Sequence, residues 1–170
     1  MRSLAILIFT GAAALALACD DGGGEPQAYV GEPEYERDPA LDVELVSAHG
    51  DDISHAQGTN CMECHQAKGP GPGRFTAAGT LYDASGAPHV DGVLELRTAP
   101  AGGGELVARV EGDALGNFYT TEALPLPDQA LFPTVLSKDG ARSSFMPFPT
   151  ISGSCNLCHA GGFGVKLPEG

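Results

Sequence analysis

Tryptophan is absent from the sequence, and phenylalanine and tyrosine together supply only 6% of its 170 residues. A core built on large aromatic side chains is therefore not expected. Basic residues are scarce as well, nine Lys and Arg against 22 Asp and Glu, giving a formal charge of -13. Nucleic-acid binding needs clustered cations to displace counterions from phosphates, and this composition excludes it. Beyond residue 18 no apolar run approaches the roughly 18 residues of a spanning helix. Residues 74–150 also lack helical periodicity. What the chain has in excess is glycine (24) and proline (13), which favour turns and short strands. The length suits one domain with a modest core and a tail.

Between residues 74 and 146 the pattern is that of strands. Phe75 to Tyr82, Val90 to Leu96, Glu105 to Glu111, Phe118 to Thr121 and Leu131 to Ser137 are rich in β-favouring residues or alternate in polarity. Turn chemistry separates them at Asp83–Pro88, Ala101–Gly104, Asp113–Asn117 and Lys138–Gly140. Pro133 has no ladder donor and is expected at an edge or a strand start. The fold class is mainly β, a small antiparallel β-sandwich flanked by two irregular, partly helical segments over 48–73 and 147–170.

Residues 1–18 have a positive start at Arg2, an apolar middle and small residues at the end, which is a secretory signal pattern. Cys19 follows Leu15-Ala16-Leu17-Ala18 directly and resembles the lipobox cysteine of bacterial lipoproteins, which implies a lipid anchor. Cleavage after Ala18 that leaves a free thiol is the alternative. From Asp20 to Glu44 there are nine acidic residues and one basic residue, Arg37, with glycines and prolines interspersed. Such a segment repels itself, so residues 19–47 are expected to form an unfolded tether.

The chemistry-bearing residues are Cys61-Met62-Glu63-Cys64-His65 and Cys155-Asn156-Leu157-Cys158-His159. Both read Cys-x-x-Cys-His, the arrangement of covalent c-type haem attachment, in which two thiols take the vinyl groups and the next imidazole faces the iron. Together they use every cysteine except Cys19. Two other readings remain open, a four-thiolate zinc site and a pair of disulfides. The zinc reading does not need His65 and His159, and the roughly 90 residues between motifs exceed ribbon spacing.

At these motifs the chain resembles small exported multihaem cytochromes c of Gram-negative bacteria. The resemblance implies two haem c groups attached through Cys61, Cys64, Cys155 and Cys158, with His65 and His159 as proximal iron ligands. It also implies electron transfer to other redox proteins from the periplasm, the outer membrane or the cell surface. Gly79-Thr80-Leu81-Tyr82-Asp83, Gly86-Ala87-Pro88 and Gly92-Val93-Leu94-Glu95-Leu96, with Asp113 and Gly116-Asn117-Phe118, resemble the carboxypeptidase-regulatory-like, transthyretin-like sandwich domains. That resemblance implies a structural and binding module without catalysis. The acidic balance suits partners with a basic docking face.

Residues 160–170 contain no His, Met, Cys or Tyr, so a sixth ligand for a second haem is expected upstream. The candidates are His55, His49, His89 and Met146. His55 lies six residues before Cys61, a spacing that resembles the histidine preceding attachment motifs in multihaem proteins. Met146 lies nine residues before Cys155, between Phe145 and Pro147; core packing is its alternative role. His49 can equally be a solvated histidine, and His89 follows a turn and is expected to be exposed. Two rival functions stay open beside electron transfer, a lipoprotein binding or adhesion module and a peroxidase-like enzyme with one open haem.

Overall fold

The computed structural model describes residues 36–160 and 163–168. The expected signal segment 1–18, the lipidation candidate Cys19 and the first part of the tether lie outside the described residues. Seven strands form two sheets: β1 (Ala77–Tyr82), β2 (Val93–Arg97), β3 (Leu106–Glu111), β4 (Asn117–Thr120), β5 (Phe132–Leu136), β6 (Ser143–Phe145) and β7 (Val165–Lys166). One sheet runs β4-β1-β7 and the other β3-β2-β5-β6. All pairings are antiparallel except β1 with β7. Among the described residues helix is confined to short turns, the longest being α1 (Cys155–Cys158). The chain is thus a mainly β protein of small β-sandwich form.

The inward faces of both sheets meet in one core of Leu81, Leu94, Leu96, Val110, Phe118, Leu131, Val135 and Leu167. Aliphatic residues dominate it, in keeping with the lack of large aromatics. β1 is buried on both faces. Its Ala77 and Leu81 point into that core, whereas Ala78 belongs to a second cluster with Phe75 and Tyr119, against which Cys61 and Met62 pack. Period-two alternation on one strand therefore separates the sandwich core from the platform on which the first motif rests.

The four expected turns lie between the strands as read. β2 starts three residues later than its β-branched composition suggests. Asp91 takes a left-handed conformation, φ 57°, and its Oδ1 accepts the Gly50 N–H, so Val90–Gly92 is a turn. Pro133 is the second residue of β5 and sits inside the sheet, between β2 and β6, instead of at an edge. Its carbonyl accepts the Met146 N–H at 3.0 Å, just past the end of β6. The missing donor therefore points to that same side, where β6 has already ended and no ladder bond is called for.

The tether expectation fails from Arg37 onward. The Arg37 side chain donates to the Leu41, Gly69 and Gly73 carbonyls and to Asp42. Val46 bridges to Thr120, and Ser47 is buried. The acidic charge count of the stretch hid these ties, because one arginine satisfies three carbonyls from two segments and Leu45–Ser47 add to the edge of β4.

Candidate functional site

Each Cys-x-x-Cys-His motif folds as one tight turn. In the first, the Asn60 side chain caps a 3-10 turn over Cys61–Glu63 by accepting the Met62 N–H at 3.3 Å. The His65 N–H then bonds to the Cys61 carbonyl at 3.1 Å. In the second, α1 carries both thiols, and the His159 N–H bonds to the Cys155 carbonyl at 2.9 Å. The spacing places two thiols and an imidazole on successive positions of one turn in both cases.

The two imidazoles are held alike. His65 Nδ1 lies 2.6 Å from the Pro72 carbonyl, and His159 Nδ1 lies 3.1 Å from that of Phe163. A carbonyl only accepts, so Nδ1 carries the proton in each ring and Nε2 keeps its lone pair. This is the outer-shell arrangement that fixes a ligating histidine. His65 is buried and stacks on Phe75 at 4.1 Å and 4°. Burial pulls its pKa below the ordinary histidine value, so the neutral, ligand-competent ring persists to lower pH. Gly71 makes this possible: a Cβ there would meet the His65 ring at 2.9 Å.

The motifs touch each other. Ser154 Oγ donates to Asn60 Oδ1 at 2.6 Å, and Asn156 Nδ2 donates to the Thr59 carbonyl at 2.8 Å. Asn156, only 2% exposed, also accepts the Thr80 N–H at 3.0 Å through Oδ1. Residues 153–154 and then 165–166 run beside β1, and α1 bulges out between them. The Asn156 amide thus fills the ladder position that the bulge vacates. Thr80 Oγ1 donates to Asn117 Oδ1 at 2.7 Å, and Asn117 Nδ2 reaches Ser54 Oγ and the His55 carbonyl. This buried network seats residues 54–60 against β1. Asn156, Thr80 and Asn117 are absent from the sequence-based candidates; the first was hidden as a variable position inside a motif.

Beside α1 lies a cleft of about 370 Å³, within the roughly 300–1,000 Å³ of cofactor sites. Its floor is apolar, with Leu94, Phe118 and Val135, and its walls include Cys155, Cys158, His159 and Met146. Around its mouth Leu157 and Phe163 are 65% and 80% exposed. Apolar side chains so exposed beside an apolar cleft fit a large flat ligand better than water. The donor set and the cleft fit a haem held by the second motif.

The other candidates divide. The His55 ring centroid is 6.1 Å from that of His65. Met146 lines the cleft half-buried, not in the core. His49 is away from both motifs: its Nε2 faces the Gly92 carbonyl at 3.4 Å and its Nδ1 faces Glu111 at 3.6 Å. His89 is half-buried, its N–H bonded to the Leu81 carbonyl of β1, not exposed, and desolvation lowers its pKa. All four described cysteines are free thiols. Burial pushes the Cys155 thiol up to about 12 and raises that of Cys61. Among the described residues no group of three or more His, Cys, Asp or Glu converges to hold a metal ion by itself.

No family model, curated protein or solved structure matches this chain. The functional reading therefore rests on the geometry of its own residues.

Proposed function

We propose that the protein is a dihaem c-type cytochrome, an exported one-electron carrier in which the β-sandwich holds two covalent haems side by side. The observation that carries this reading is the matched presentation of His65 and His159, each with Nδ1 on a backbone carbonyl and Nε2 free, one residue after a pair of free thiols. Cys61 and Cys64 would hold one haem, Cys155 and Cys158 the other. The haems would supply the reversible one-electron chemistry; the protein contributes attachment, ligand orientation and apolar surroundings. Export and anchoring through Cys19 belong to the same reading, as does a redox partner with a basic face to match the net charge of -13.

The test is expression with a c-type maturation system, followed by a pyridine haemochrome spectrum against protein concentration. Two haems per chain with a c-type α-band is the expected result. Colourless protein despite competent maturation would overturn the reading and transfer the case to a lipoprotein binding module with its thiols oxidised or on zinc.

A further inference from the structure

We propose that the two haem sites are ligated unequally, His55 opposite His65 in the first and Met146 opposite His159 in the second, so that one chain carries a low-potential and a high-potential centre. The inference rests on the dihaem reading above and deepens it.

Two separate observations assign the ligands. The His55 and His65 ring centroids are 6.1 Å apart with planes at 39°. An imidazole–metal–imidazole sandwich needs about 6 Å between centroids, from two metal–nitrogen bonds of about 2 Å and a ring radius of about 1 Å on each side. The His65 ring and the His55 backbone are each held from outside. The Pro72 carbonyl fixes His65, and Asn117 holds the His55 backbone through its carbonyl. His55 is itself exposed, so its ring has room to turn its nitrogen toward an iron.

Met146 belongs to the other site. It lines the cleft that also contains Cys155, Cys158 and His159, and neither His55 nor His49 lines that cleft. Its backbone is pinned at the end of β6 by the bond from its N–H to the Pro133 carbonyl. Pro147 and Pro149 stiffen the chain that follows. The only imidazole lining this cleft is His159, and apart from the two attachment thiols and Lys166 the Met146 sulfur is its ligating side chain.

Methionine opposite histidine raises a haem potential, and histidine on both sides leaves it lower. An electron from an external one-electron donor then runs downhill within the chain. The site of Cys61, Cys64 and His65 would give up one electron (ferrous to ferric) to the site of Cys155, Cys158 and His159 (ferric to ferrous), with no proton transferred. The junction through Asn60–Ser154 and Thr59–Asn156 keeps the two centres adjacent for that step.

The experiment compares the wild type with Met146→Leu and His55→Ala by ferric absorption and by redox titration, with haem content measured on each sample. In the wild type we expect the weak far-red charge-transfer band of sulfur–iron ligation and two resolved one-electron waves. Met146→Leu, which keeps the volume, should abolish the band and move only the upper wave. His55→Ala should retain the band and move only the lower wave. Two haems per chain with no such band, a band that survives Met146→Leu, or coincident waves would overturn the unequal ligation while leaving the dihaem reading intact. A chain without haem would instead overturn the dihaem reading itself.

Discussion

Asn156 accepts the Thr80 N–H at 3.0 Å and donates to the Thr59 carbonyl at 2.8 Å, so one buried amide ties the second motif both to strand β1 and to the first motif. A side chain here does the work of a missing strand residue. It allows the Cys-x-x-Cys-His turn to interrupt a parallel pairing without leaving a buried donor orphaned.

Asn156→Ala should therefore lower the unfolding free energy by about 1–3 kcal/mol, the usual cost of leaving a buried donor unpaired. Urea denaturation of the apoprotein checks this, with a lower midpoint and an unchanged slope expected. Leu157→Ala, two-thirds exposed on the neighbouring position, should shift the midpoint far less.

Gly71→Ala should disturb the first site specifically. The added methyl would sit 2.9–3.0 Å from three atoms of the His65 ring, which Phe75 prevents from sliding away. On the dihaem reading the expected outcome is loss or weakening of a His65–iron bond, seen as one of two haems becoming high-spin, with the other unchanged. Equal effects on both haems would show that the loop carrying Pro72 does not act through His65.

The strands were legible because alternation and turn residues agree locally. β1 and β5 lie where their apolar runs predict, and the turn at Asp113–Asn117 follows from an Asp side chain that accepts the Leu115 and Asn117 N–H groups. β6 and β7 were not legible. Ser143–Phe145 and Val165–Lys166 are too short to show a period, and they become strands only because β5 and β1 offer unpaired edges. The motifs were readable from spacing alone. Their contact was not, because it depends on single side chains such as Asn60 and Asn156 meeting across roughly 95 residues. His49 and His55 looked alike in sequence, and only the fold sends one toward Gly92 and the other toward His65.

The apoprotein should lose stability as pH falls through the ordinary histidine range. Burial lowers the pKa of His65, with a smaller push in the same direction from His55 and Arg37, and burial lowers that of His89. In that window the unfolded chain binds more protons than the folded one, so stability rises with pH. The contribution is complete above about 6.5, the unperturbed value, and declines below it until the folded pKa is passed. Urea midpoints taken from neutral to mildly acidic pH should fall, and His65→Gln should flatten part of that fall. A midpoint that rises on acidification across the window would contradict the sign.

Arg37 gives a separate handle on the same site. Its side chain is only 5% exposed, and its guanidinium holds the carbonyls of Leu41 and of Gly69 and Gly73, which flank the Pro72 carbonyl that orients His65. A lysine has no planar fork and cannot meet these acceptors together. Arg37→Lys should therefore rescue little of the loss caused by Arg37→Ala, about 1–3 kcal/mol in denaturant unfolding. Asp42 is a built-in comparison. The guanidiniums of Arg74 and Arg37 lower its pKa to about 2, yet its contact is exposed, and salt screens such pairs. Asp42→Asn should accordingly cost less than Arg37→Ala, and its cost should shrink at high ionic strength. The cost of Arg37→Ala should persist there, because it comes from carbonyls that lose a donor and not from the ion pair. Equal and equally salt-sensitive losses in the two variants would mean that charge, not the carbonyl cradle, holds the loop beneath His65.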